Sequence, residues 1–169
     1  MGRQVLFISK YPPRQGGIAS RTFWLAEGLA RRGWSIDVVT HSGDTAPRYS
    51  SALNRSDELS SVNIAAHYVR DSLPWHIPDD PERTLSLLEK CLGIVDAAGL
   101  EVVDTGYLMP YGIVGHLLQQ LRRVRHVVRH GGSDIVRFLE AGRVPALLGA
   151  TLRAADAVIT DRLNEQRIS

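Results

Sequence analysis

Short apolar runs alternate along this chain with longer segments in which apolar residues recur every three or four positions. Val5, Leu6, Phe7 and Ile8 form the first run; a short, unbroken apolar run of this kind predicts a strand buried on both faces. Over residues 18–32 the spacing becomes helical. Ile18, Ala19, Phe23, Leu25, Ala26, Leu29 and Ala30 share one broad arc at ~100° per residue, with Ser20, Glu27 and Arg31 opposite and Trp24 among the polar positions. Arg31-Arg32-Gly33 supplies a basic last turn and a glycine stop, and residues 36–39 predict a second strand.

The same alternation continues. Residues 41–59 are polar and without period, which predicts a long surface loop. Residues 62–69 predict a third strand, and 71–81 a proline-rich connection carrying Trp75 and His76. The helix predicted over 82–98 is sharply two-sided, with Leu85, Leu87, Leu88, Cys91, Leu92, Ile94, Val95 and Ala98 on one half and Arg83, Ser86, Glu89, Lys90 and Asp96 on the other. Pro81 marks its start and Gly99 its stop. A strand over 101–104 leads to a helix over 111–123, on which Ile113, Val114, Leu117, Leu118 and Leu121 face inward and His116 outward. A strand over 125–129, helical segments over 135–141 and 145–155, and a sixth strand over 157–160 complete the chain. Strand and helix in alternation predict a single α/β domain, a Rossmann-like doubly wound parallel sheet, and right-handed crossovers favour the strand order 3-2-1-4-5-6.

Composition narrows the class. At 169 residues the chain is long enough for one substantial core and too short for two ordinary Rossmann-like domains. With 44% hydrophobic and 22% charged residues it has the make-up of a globular protein, and no apolar run approaches the ~20 residues of a membrane span. Met1-Gly2-Arg3-Gln4 leads directly into the first strand with no signal-peptide core. The single cysteine, Cys91, falls on an apolar helix face and reads as a core thiol. A cytoplasmic protein is expected. The net charge of +2 is small, but Arg122, Arg123, Arg125, His126, Arg129 and His130 crowd one segment. Such a cluster can steer an anionic partner, including an anionic membrane surface at which the protein would sit peripherally on the inner face. No stacking aromatics interleave with it, which argues against nucleic acid. No DxD and no His/Asp ligand cluster points to a metal.

Two constellations carry candidate chemistry. The first strand runs through Lys10 and Arg14 to Gly16-Gly17 at the helix start. The loop has neither GxGxxG nor GxxxxGK[ST], which argues against a nicotinamide dinucleotide and against ATP. Paired glycines at a strand-to-helix junction nonetheless bring exposed N–H groups and the positive end of the helix dipole to one place, which favours an anion; the same glycines also make a plain turn. His130-Gly131-Gly132-Ser133-Asp134 ends the fifth strand on the same sheet edge. It reads either as a cleft histidine beside a second anion site, or as a cap in which Ser133 or Asp134 closes the helix start and His130 is satisfied locally.

Residues 7–13, Gly16-Gly17-Ile18-Ala19, residues 25–33, Val38-Val39-Thr40, Asp104 to Gly112, Val127 to Asp134 and Ala154 to Thr160, taken in order, resemble the N-terminal domain of the retaining glycosyltransferases of family 4. The resemblance implies the two-domain GT-B fold, of which this chain would be the N-terminal, acceptor-side half. Gly16 and Gly17, with Lys10 and Arg14 as electrostatic helpers, would lie against the donor diphosphate. His130 would orient the sugar near the reaction centre, and Tyr107, Gly131, Gly132, Ser133 and Asp134 would line the sugar and acceptor cleft. The family's serine after the sixth strand is replaced here by Asp161-Arg162. No cofactor is implied beyond a nucleoside-diphosphate sugar as donor substrate. The family's C-terminal donor-binding domain, with its Glu-x7-Glu motif, would come in cis or as a separate subunit, and this chain alone would be inactive. A non-catalytic binding or scaffold domain and a membrane-surface module of the same fold are the alternatives.

Overall fold

The computed structural model describes residues 3–14, 16–43, 63–71, 81–135, 144–162 and 165. Six parallel strands, β1 (Gln4–Ser9), β2 (Ser35–Gly43), β3 (Ile64–Asp71), β4 (Val102–Gly106), β5 (Arg125–Arg129) and β6 (Ala157–Ile159), form one sheet in the order β3-β2-β1-β4-β5-β6. Helices α1 (Gly17–Ala30), α2 (Pro81–Ala98), α3 (Ile113–Arg122) and α4 (Pro145–Ala154) connect them. The expected fold class and strand order both hold.

The period of two along β1 divides the core. Val5 and Phe7 pack with Phe23, Ala26 and Ala30 of α1, whereas Leu6 and Ile8 pack with Leu87, Cys91 and Val95 of α2 and Val114 and Leu118 of α3. Each face of the sheet thus has its own helices, which is why β1 reads as a continuous apolar run from Val5 to Ile8. Cys91 is fully buried, and burial pushes its thiol well above the usual range. Gly33 and Gly99 both take positive φ, 82° and 63°, and end α1 and α2 as expected.

Several expectations are corrected. Leu85 and Leu121, placed inward by period, are 61% and 52% exposed. The face of α2 that meets the sheet is the narrow stripe Leu87, Cys91, Val95, spaced by four, and Leu85 falls beside it. β2 runs on through Gly43, in register with β3 as far as Gly43 opposite Asp71, so residues 41–43 are strand rather than loop. Backbone pairing carries this polar segment, and His41 is buried against Tyr111, ring centroids 5.8 Å apart. α3 begins at Ile113 because Leu108–Gly112 forms a separate kinked turn, with Met109 in an extended conformation inside it. His116 is half-buried rather than outward. The expected loop over 44–59, the connection over 72–80 with Trp75 and His76, and most of the helix over 135–141 lie outside the described residues.

Candidate functional site

β1 is the topological switch point of the sheet: the chain proceeds to β2 on one side and later returns to place β4 on the other. In open α/β sheets the crevice outside the carboxyl ends of such neighbours is where ligands bind. Here that crevice is a cleft of about 410 Å³, lined among the described residues by Lys10 after β1, Gly16, Gly17, Ile18 and Arg21 of the α1 start, Tyr107 after β4, and Gly131 and Ser133 after β5.

Gly16 takes φ 135°, a conformation side chains rarely adopt, and its carbonyl accepts from Ser20 N–H at 3.0 Å to open α1. No side chain caps this helix start and no acid sits in its first turn. The first-turn N–H groups of α1, which have no partner within the helix, therefore meet the cleft with the positive end of the dipole. Lys10 is buried, with Nζ 5.1 Å from the centroid of the Tyr107 ring, and Arg21 is exposed. The result is a small cationic cleft rich in backbone donors.

The loop after β5 is fixed from behind. Asp134 is fully buried; its Oδ2 accepts from Leu108 N–H at 2.9 Å and its Oδ1 from Gly131 N–H at 3.0 Å, which clamps this loop to the turn after β4. Gly132 N–H donates to His130 Nδ1 at 3.1 Å. An N–H can only donate, so Nδ1 accepts and the ring proton sits on Nε2, where it faces Thr160 Oγ1; that hydroxyl in turn donates to the Asp161 carbonyl. Both ring nitrogens of His130 are thus engaged, and its side chain is 1% exposed. Tyr107 and Ser133 hydroxyls share a hydrogen bond at 2.9 Å. A Cβ on Gly131 would lie 2.9 Å from Ile18 Cδ1 and 3.2 Å from Tyr107 Cε2, so a side chain here would push the Ile18 terminal methyl aside and press on the Tyr107 ring.

Beneath the cleft lies a polar network in the α1-side core. Arg129 Nε donates to Asp104 Oδ1 at 2.6 Å, Arg129 also reaches Thr22 Oγ1 at 3.4 Å, and Thr22 Oγ1 pairs with Ser9 Oγ at 2.8 Å. Burial pushes the Asp104 carboxyl above its ordinary range while the Arg129 guanidinium pulls the other way.

The structure therefore brings Lys10, Gly16, Gly17, Tyr107, Gly131 and Ser133 to one cleft. It places Arg14, His130, Gly132 and Asp134 outside the lining: Arg14 is buried near Tyr11, whose carbonyl accepts from the Arg14 N–H at 3.2 Å, and the other three hold the β5 loop. Arg21 is the residue the sequence reading missed. Its signal was its place four residues after Gly17, one turn along the same helix face. The basic segment is not one patch. Arg129, His126 and His130 are buried, Arg122 pairs with Asp96 at 2.6 Å, and Arg125 sits at the opposite end of β5 from Arg129. Among the described residues no group of three or more His, Cys, Asp or Glu side chains could hold a metal ion, and no helix is long and apolar enough to cross a membrane.

A Rossmann-like sheet with a donor-rich crevice at its switch point is the architecture of one half of a GT-B glycosyltransferase. The chain belongs to the glycosyl transferase 4-like domain family, whose profile matches residues 16–166. It is similar in fold to the sucrose-phosphate synthase of Thermosynechococcus elongatus, with a TM-score of 0.70 at 20% identity, over 98% of this chain and 44% of that one. It is also similar to LpCGTa, solved in complex with UDP (TM-score 0.55, 13% identity, 94% of this chain and 46% of that one), and to the N-terminal domain of Candida albicans trehalose-6-phosphate phosphatase (TM-score 0.54, 12% identity, 94% and 40%). The chain thus spans under half the length of these structures. No curated protein sequence matches it.

Proposed function

We propose that this chain is the N-terminal, acceptor-side half of a retaining glycosyltransferase that moves a sugar from a nucleoside diphosphate to an acceptor. The observation that carries this reading is the cleft itself, where the uncapped start of α1, Lys10 and Arg21 converge at the switch point of the sheet. Negative charge grows on the diphosphate as the glycosidic bond to it breaks. Preorganised N–H groups and cations aimed at that charge stabilise the transition state more than the ground state. A fold relative solved with UDP supports a nucleoside diphosphate as the anion. The donor's base and sugar would be held by the second GT-B half, in cis or as a subunit.

His130 acts on this site by holding the β5 loop, so that Gly131 and Ser133 face the cleft. For the ring to orient the sugar directly, its Nε2 proton would exchange Thr160 for a sugar hydroxyl. The test is sugar transfer from a panel of nucleotide sugars, measured with this chain alone and with the chain joined to its donor-binding half. Transfer by the joined protein and none by the chain alone is expected. Turnover by the 169 residues alone contradicts the half-enzyme reading, and a joined protein that binds nucleotide sugars but transfers nothing favours the non-catalytic binding domain.

A further inference from the structure

We infer that Tyr107 is a positioning residue for the anion site: its ring forms the floor that fixes the Lys10 ammonium where a diphosphate docks. This rests on the cleft being an anion site. Tyr107 has φ 121° and ψ 146°, a region that is nearly the preserve of glycine. A glycine would adopt it freely, so what the strained backbone maintains here is the placement of a side chain. Tyr107 N–H donates to the Arg129 carbonyl at 2.7 Å and its own carbonyl accepts from Gly112 N–H at 2.9 Å, which fix the residue from both sides.

The ring so held meets Gly131, Ser133 and Lys10. Its edge lies over Gly131, the position where a Cβ would come within 3.2 Å. Its hydroxyl bonds Ser133 Oγ at 2.9 Å, which sets the ring's rotation. Its face carries the Lys10 Nζ at 5.1 Å from the centroid. Lys10 is only 4% exposed, although an ammonium on a four-carbon stem ordinarily stays in water. An aromatic face attracts a desolvated cation without neutralising it. The ring thereby locates the ammonium at the cleft wall by its face, without adding a negative charge of its own.

The test is calorimetric titration of the chain with inorganic pyrophosphate, using wild type, Tyr107→Phe, Tyr107→Leu, Lys10→Met and the Tyr107→Leu/Lys10→Met pair. Tyr107→Leu is expected to weaken binding by roughly fivefold to tenfold, the range of a desolvated cation–π contact. Tyr107→Phe, which keeps the face, rescues it to within about twofold of wild type. The double variant is expected to bind no more weakly than Lys10→Met alone, because the ring acts through the ammonium. Proton NMR supplies a readout independent of ligand: the Lys10 side-chain methylenes are shifted upfield by the ring in wild type and Tyr107→Phe, and return to ordinary values in Tyr107→Leu. If Tyr107→Leu does not fold, Tyr107→Gly, which removes the ring and accepts the backbone, takes its place. Unchanged pyrophosphate affinity without the ring, or losses that multiply in the double variant, overturns the positioning role and leaves the anion site intact. No pyrophosphate binding by wild type overturns the site reading, and this inference with it.

Discussion

Replacing Arg129 by methionine removes a guanidinium from the core and leaves the Asp104 carboxyl behind. The two side chains are 5% and 10% exposed and meet at 2.6 Å, with Arg129 also over the Phe7 ring at 5.5 Å. Methionine keeps most of the packing, so the loss isolates the charge. Breaking a pair this buried is expected to cost about 3–5 kcal/mol near neutral pH, because the buried carboxyl loses its hydrogen-bonded counter-charge and either stays ionised away from water or takes up a proton. With a urea dependence of about 2 kcal/mol per molar, that moves the midpoint down by about 1.5–2.5 M, which the chain's three tryptophans report by fluorescence. The pH dependence carries the sign. Without Arg129, burial is opposed only by the weaker pull of Arg21, and the folded pKa of Asp104 rises further above the unfolded value of about 3.9. The folded state then holds a proton that the unfolded chain has released. The variant's penalty is therefore smallest near pH 4 and grows as pH rises toward the folded pKa, by at most about 1.4 kcal/mol per pH unit. Replacing both partners by apolar residues, Arg129→Met with Asp104→Val, is expected to recover stability to within about 1 kcal/mol of wild type. A loss under about 1 kcal/mol, a flat pH profile, or a double variant worse than the single would refute the account of this pair.

Two further outcomes follow from the same structure. Burial, then the neighbouring His116, depresses His126 from 6.5 to about 4, with Asp156 opposing; since the unfolded chain takes up that proton first, stability is full above pH 6.5 and falls by about 3 kcal/mol on approach to pH 4. His126→Gln removes that component, and equal pH slopes for variant and wild type in urea titrations would contradict it. Gly131→Ala shifts the Ile18 terminal methyl and presses on the Tyr107 ring, and is expected to cost about 1 kcal/mol in the same assay, the low end for overpacking; an unchanged midpoint would show that the cleft walls yield more freely than their contacts imply.

The order of the sheet was legible because strand and helix alternate along the chain, the central strand β1 is a short apolar run, and each crossover has one favoured hand. The Gly16-Gly17 turn was legible for a similar reason, since its chemistry is local. What escaped the sequence depends on tertiary register. Arg129 read as one of a basic run, yet it sits on the same sheet face as Asp104, in a pair that only the β4–β5 register creates. His130 read as a cleft residue, and its ring is turned inward by Gly132 N–H and Thr160, the latter thirty residues away. Arg21 drew no notice in the sequence, because its relation to the cleft depends on where the helix begins. Leu85 and Leu121 were placed inward by a period that gives direction but not the width of the neighbouring surface.

The most direct measurement is an amide NMR titration of the chain with uridine diphosphate. A diphosphate seated at the start of α1 predicts saturable shifts of the Gly16, Gly17 and Ile18 N–H signals, weakened by Lys10→Met, with Gly33 and Gly99 at the far ends of α1 and α2 unmoved. Shifts confined to other parts of the chain, or Gly16 and Gly17 signals that stay fixed at saturation, would contradict the site.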